Sequence, residues 1–269
     1  MVGLAGRFAD IRDTTGPLCI GIDPSSEALR LWGLNDDADA ALEMARVVIS
    51  ASAGRVGIVK AQVAFFERFG SVGIAALETV IAEAAASGLC VIADAKRGDI
   101  GSTMGGYADA WLRSGPLKSD AMTASPFLGF ESLEPACVAA KHEEATVFVL
   151  CSTSNPESAL LQGGIVDGGT VAAYIARAVK QRASGSFSIG LVIGATRSLT
   201  SAGLSDEMLE GVLILAPGFG AQGASLGDVP AIFGRARSTV IPSVSRSVLQ
   251  AGPGGVAMAI DRHRRELAL

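Results

Sequence analysis

Aromatic residues, charge and histidine are all scarce in this sequence. Aromatics make up 5% of the 269 residues and charged residues 18%, against 49% apolar. So little charge beside so much aliphatic surface excludes a disordered chain and implies one that buries a large core. There are two histidines, His142 and His263, and four cysteines with no CxxC pair. That supply argues against a zinc centre built from Cys and His, so no metal site is expected. Cys19, Cys90 and Cys151 sit in apolar runs, where a free thiol behaves as a small core residue, and Cys137 falls in a helical segment. The net charge is −5 and no basic stripe is present, which excludes the electrostatic footprint of a nucleic-acid binder. A small anion remains a possible ligand, because the field inside a cleft can oppose the net charge. No run approaches the ~18 consecutive apolar residues of a membrane span. Residues 1–13 carry both charge signs without a continuous apolar stretch, so no secretory signal is expected, and the sequence predicts a cytoplasmic protein.

What is abundant is a repeated pattern. Short, β-branched, apolar runs occur at 18–23, 56–61, 89–95, 120–124, 146–152, 188–194, 212–216 and 239–243. Ala- and Leu-rich stretches of helical character lie between them, including 38–53, 72–86, 171–183 and 248–265. One strand–helix unit takes about 30 residues, close to most of these spacings. The pattern predicts an α/β fold in which residues 1–269 form a single domain, a (β/α)8 TIM barrel. An open doubly wound sheet would leave less apolar edge strands, and none of the runs reads that way. It would also favour a glycine-rich turn after the first strand, where the chain reads Asp23-Pro24-Ser25-Ser26.

Barrel enzymes place their chemistry at the carboxyl ends of the strands. Polar residues stand there in almost every run: Asp23; Lys60 and Gln62; Asp94 and Lys96; Thr123 and Ser125; Ser152 and Ser154; Thr196 and Arg197; Ser243, Ser245 and Arg246. Apolar strands converging on a polar rim predict an enzyme. Residues 154–169, with paired glycines at 163–164 and 168–169, read as a long irregular loop that could cover the site.

The densest signal is Asp94-Ala95-Lys96-Arg97-Gly98-Asp99. Strand side chains alternate, so Asp94 and Lys96 are expected on one face, toward the barrel mouth, with Lys60 close by. Each of these residues alone reads as well as part of a structural ion pair, because a buried ion needs a partner. Together, at the catalytic end of this fold, they read as a functional cluster.

This segment resembles the DxKxxD signature of the orotidine 5′-monophosphate decarboxylase family, and Gly101-Ser102-Thr103 resembles its subgroup with many bacterial members. Gly21-Ile22-Asp23-Pro24-Ser25, Val59-Lys60-Ala61-Gln62, Cys151-Ser152-Thr153-Ser154-Asn155-Pro156 and Ala216-Pro217-Gly218-Phe219-Gly220-Ala221-Gln222-Gly223 match further family segments in order. The resemblance implies cofactor-free conversion of orotidine 5′-monophosphate to UMP and CO2 in pyrimidine biosynthesis. It implies catalytic roles for Lys60, Asp94, Lys96 and Asp99, with Lys96 as the acid. It places Asp23 on the ribose, Ser154 on the pyrimidine, and Pro217, Gln222 and Arg246 around the phosphate. It also implies a homodimer with shared sites, in which Asp99, Ile100 and Thr103 serve the partner's substrate. Taken without the resemblance, Asp23 reads equally as a turn cap and Ser154 as an ordinary loop serine. Arg197 has no assigned role.

Overall fold

Each apolar run becomes one strand of a closed sheet. The structure is a computed structural model that describes residues 2–267; residues 1, 268 and 269 of the expected single domain lie outside them. The barrel strands are β1 (Cys19–Ile22), β2 (Ile58–Gln62), β3 (Cys90–Arg97), β4 (Ala121–Ala124), β5 (Thr146–Ser152), β6 (Ile189–Ile193), β7 (Leu213–Pro217) and β8 (Val240–Val244). Every strand pairs in parallel with its sequence neighbour, and β8 closes on β1 through Cys19↔Ser243 and Ile20↔Val244. The principal helices are α1 (Leu4–Thr14), α2 (Ala38–Ser52), α3 (Gly70–Ala86), α4 (Gly101–Leu112), α5 (Glu134–His142), α6 (Val171–Ala183) and α7 (Val256–Leu267). Asp37 caps α2 by accepting from the Ala40 amide, and Thr170 caps α6 through the Ala173 amide, each satisfying a donor that the first helical turn leaves free. No helix among the described residues is long and apolar enough to cross a membrane.

Two apolar layers follow from strand alternation. Val59, Val91, Ala93, Val147 and Val149 face the surrounding helices. Ile58, Cys90, Ile92, Phe148, Leu213 and Ile241 form a separate cluster inside the barrel. Phe148 is fully buried there, and truncating such a side chain to Ala costs about 3–5 kcal/mol. The inward set also dictates where the site must lie: the inward positions after Ile58 and Ile92 are Lys60 and Asp94, so the interior turns from apolar to charged at its carboxyl end.

The other end is closed by α1, which the strand pattern does not anticipate. Leu4, Phe8 and Ile11 insert into the inner cluster as a floor, and Phe8 meets Phe187 edge to face, with centroids 5.4 Å apart. All four cysteines are free and buried. Burial pushes each thiol up to about 12, so they remain protonated and inert.

Two expectations need correction. The helix expected over 248–265 is broken: a single turn, Arg246–Leu249, is separated from α7 by a stretch containing Gly252, Pro253, Gly254 and Gly255. Gly252 has φ +70°, and proline cannot donate the next helical hydrogen bond. The segment 154–169 is not wholly irregular either. It folds into a short helix, Ser158–Gln162, and half of a small antiparallel ribbon in which Ile165–Val166 pairs with Gly169–Thr170.

Candidate active site

A cavity of about 620 Å³ opens at the carboxyl end of the barrel, lined among others by Asp23, Lys60, Asp94, Lys96, Gln222 and Arg246. Its centre is the Asp94 carboxylate. Oδ2 accepts from Lys60 Nζ at 2.9 Å and from Gln62 Nε2 at 3.2 Å. Oδ1 accepts from Lys96 Nζ at 2.6 Å and from Thr123 Oγ1 at 2.9 Å. Burial alone would raise this carboxyl, but the ammonium groups of Lys60 and Lys96 more than reverse that, and it lies well below the ordinary carboxylate range. Lys60 is 6% exposed. Burial acts to lower its ammonium, yet the charges of Asp94 and Asp23 outweigh burial and hold it above its usual value. Asp23 Oδ1 lies 3.9 Å from Lys60 Nζ and is buried without a hydrogen-bond partner among the described residues. The turn-cap role open to Asp23 falls instead to Ser25, whose hydroxyl accepts from the Ala28 amide.

Lys96 departs from a regular strand. Its φ is +48°, a left-handed conformation that non-glycine residues seldom adopt. The pairing of β3 with β4 slips between Ala93 and Arg97. The Lys96 amide, removed from the ladder, donates to Thr123 Oγ1 at 2.9 Å. Thr123 therefore supports Lys96 through the backbone and Asp94 through the side chain. The Lys96 side chain is 45% exposed, whereas that of Asp94 is 10% exposed. One lysine is buried beneath the carboxylate, and the other faces the open cavity.

The loops after β7 and β8 form the opposite wall. Gly218, Gly220 and Gly223 have φ of +112°, +70° and +106°, which only glycine adopts without strain. A Cβ on Gly218 would also stand 3.3 Å from the Ala195 amide nitrogen. Pro217 lines the cavity at the end of β7. Arg246 opens the single turn after β8, is exposed to the cavity, and forms no ion pair among the described residues. Ser154 Oγ donates to Gln222 Oε1 at 3.2 Å, linking the loop after β5 to the glycine loop. Arg197, left unassigned by the sequence, donates to Ser158 Oγ at 2.7 Å, and Ser158 Oγ in turn donates to the Thr153 and Asn155 carbonyls. It braces the segment carrying Ser154 and is not among the cavity's lining residues.

The structure thus brings together Asp23, Lys60, Asp94, Lys96, Ser154, Pro217, Gln222 and Arg246. Asp99 and Thr103 do not join them in this chain. Asp99 accepts from the Ile100 amide at 2.8 Å, Ile100 is 61% exposed, and Thr103 lies on the exposed face of α4. Gln62 and Thr123 stand at strand ends in the sequence without an assigned role there, and both prove to be ligands of Asp94. Their signal was present: Gln62 lies two residues beyond Lys60, on the same face of β2.

Residues 16–259 match the Orotidine 5'-phosphate decarboxylase / HUMPS family. An orotidine 5'-phosphate decarboxylase of Streptomyces coelicolor is 47% identical, with 99% of this chain and 98% of that protein covered. One from Salinispora tropica is 45% identical over 97% of this chain and 96% of its own length. Among solved structures, the OMP decarboxylase of Leishmania donovani superposes with a TM-score of 0.81 at 30% identity, covering 99% of this chain and 98% of that one. A Streptomyces avermitilis protein assigned the same activity superposes with a TM-score of 0.93 at 44% identity, covering 100% of this chain and 95% of that one. The chain belongs to the orotidine 5'-phosphate decarboxylase family.

Proposed function

We propose that the protein decarboxylates orotidine 5′-monophosphate to UMP and CO2. The observation that carries this reading is the carboxylate of Asp94 held between two lysines, one buried and one facing a cavity whose far wall is the glycine loop and an arginine with no ion pair among the described residues. In the reaction the bond from C6 to the carboxylate breaks, its electron pair stays on C6, and CO2 leaves. A fixed cation beside C6 stabilises the charge as it develops, and preorganised electrostatics of this kind is commonly the largest catalytic contribution. Lys96 fills that part and then delivers a proton from Nζ to C6 as general acid. Asp94 holds Lys60 and Lys96 charged and oriented.

The remaining lining residues bind the parts of the substrate that do not react. Asp23, whose Oδ1 lacks a donor among the described residues, accepts from a ribose hydroxyl, with Lys60 beside it. Ser154 meets the pyrimidine's amide edge. Gln222 and the Arg246 fork hold the phosphate beside the glycine loop, in the region where barrels commonly bind it. Binding energy from these distant groups orders the reacting centre. Asp99 and Thr103 are proposed to act in the site of a partner subunit. In support, both stand outside their own chain's cavity, and Ile100, next to Asp99, is an exposed apolar side chain.

A phosphosugar enzyme using Mg²⁺ on carboxylates is the second reading, because related barrels share the Asp94, Lys96 and Asp99 motif. Against it, both oxygens of Asp94 are already engaged by an ammonium and a neutral donor each. The test is the ultraviolet absorbance of orotidine 5′-monophosphate incubated with the protein in excess chelator. Conversion to UMP at an undiminished rate is expected. Conversion that stops on chelation and returns with Mg²⁺ would favour the second reading, and no conversion under either condition would overturn the first.

A further inference from the structure

A part-buried hydrogen-bonded chain runs beneath the proposed phosphate loop and takes no part in the mechanism above. Its centre is His263 on α7, 4% exposed. Its Nε2 lies 2.9 Å from Ser247 Oγ, and its Nδ1 lies 3.3 Å from Glu266 Oε2. The other oxygen of Glu266 accepts from Ser225 Oγ at 2.8 Å and from the Leu226 amide at 3.0 Å. Burial alone would raise the Glu266 carboxyl, but the bonds from Ser225, Leu226 and His263 hold it below its ordinary value. An ionised carboxylate only accepts, so Nδ1 donates to Glu266, and Nε2 is left to bond Ser247.

Both ends of this chain touch the glycine loop. Ser225 follows the loop after one residue, Ala224. Ser247 follows Arg246 and packs under Gly220: a Cβ there would meet Ser247 Oγ at 2.6 Å and His263 Cε1 at 3.8 Å. Ser, His and Glu in this order also form hydrolytic triads, but Ser247 faces Gly220 and is not among the residues lining the cavity, so it has no route to a substrate.

We infer that His263, with Ser247 and Glu266, is a positioning group that fixes the glycine loop against the turn carrying Arg246 and so sets the geometry of phosphate binding. This rests on the decarboxylase reading above. It predicts a defect confined to phosphate-bearing substrate. The experiment compares wild type, His263→Gln and Ser247→Ala on orotidine 5′-monophosphate and on orotidine, which lacks the phosphate. KM for the nucleotide is expected to rise roughly five- to fiftyfold, as for loss of a buried hydrogen-bond partner. The kcat/KM for orotidine should stay within about twofold, because no phosphate interaction is there to lose. Equal losses on both substrates, or no change on either, would overturn the inference. If His263→Gln does not fold, Glu266→Gln, at a partly exposed carboxylate, decides by the same criterion. A wild-type protein inert toward the nucleotide would overturn the decarboxylase reading instead.

Discussion

Lys96 Nζ stands 2.6 Å from Asp94 Oδ1, and the backbone that joins the two residues is not a regular strand. Lys96 holds a left-handed φ of +48°, a conformation that typically costs about 1 kcal/mol or more and persists only where the surroundings enforce it. Here Thr123 enforces it, accepting the Lys96 amide while donating to the same Asp94 oxygen that Lys96 contacts. Thr123→Val keeps the shape and removes both bonds. It should lower kcat roughly tenfold or more, with little change in KM, since placement errors at a reacting centre are costly. Steady-state kinetics on orotidine 5′-monophosphate checks this split.

Asp94 couples the site to stability. Its folded-state carboxyl ionises below the ordinary value, so the stability gained from its ionisation is complete above about pH 5 and is lost as pH falls through the folded-state value. Lys60 is held above its ordinary value. Its contribution is complete below about pH 10 and is lost as pH rises through the folded-state value. Asp94→Asn should flatten the acid limb of a stability–pH curve and lower stability at neutral pH by about 3 kcal/mol, because Lys60 stays buried without its main counter-charge. Denaturant titrations at several pH values measure both effects.

Arg246 makes no ion pair among the described residues, so its removal should cost binding rather than folding. Arg246→Ala is expected to raise KM roughly ten- to a hundredfold, the range for a hydrogen bond to a charged group. The melting temperature should hardly move. Calorimetric titration with UMP provides the check, and unchanged affinity would remove Arg246 from the phosphate site.

The proposed sharing of sites between subunits makes a distinctive prediction. Asp99→Ala and Lys96→Ala proteins should each be inactive, yet a mixed dimer would pair an intact Lys96 on one chain with an intact Asp99 on the other. Random re-association of equal amounts should restore roughly a quarter of wild-type activity, given one good site in each hybrid of a two-fold dimer. No recovery after mixing, with hybrids confirmed by differential tagging, would contradict the trans arrangement.

The barrel was legible because each strand is a short apolar run ending in polar residues. Lys60 and Asp94 could be placed at its mouth by counting alternate positions from Ile58 and Ile92. Alternation also put Lys96 beside Asp94, but not its left-handed backbone, which depends on a threonine from the next strand. The floor helix is hard to read from the sequence although Leu4, Phe8 and Ile11 carry helical spacing, since barrel strands dominate the pattern. The helix expected over 248–265 ran through Gly252-Pro253-Gly254-Gly255, a stop signal that the apolar spacing on either side concealed. The His263 chain was not legible at all. Its members are scattered over some forty residues, from Ser225 to Glu266, and only folding brings them under one loop.

The most direct measurement is CO2 release from orotidine 5′-monophosphate by Lys96→Ala beside wild type, with folding followed by circular dichroism and nucleotide affinity by titration with UMP. A fall of at least about a thousandfold is expected, at the upper end for loss of one preorganised electrostatic group, with the fold intact and UMP still bound. Near-normal release by a folded Lys96→Ala protein would contradict the assignment of Lys96 as the cation and proton donor at C6.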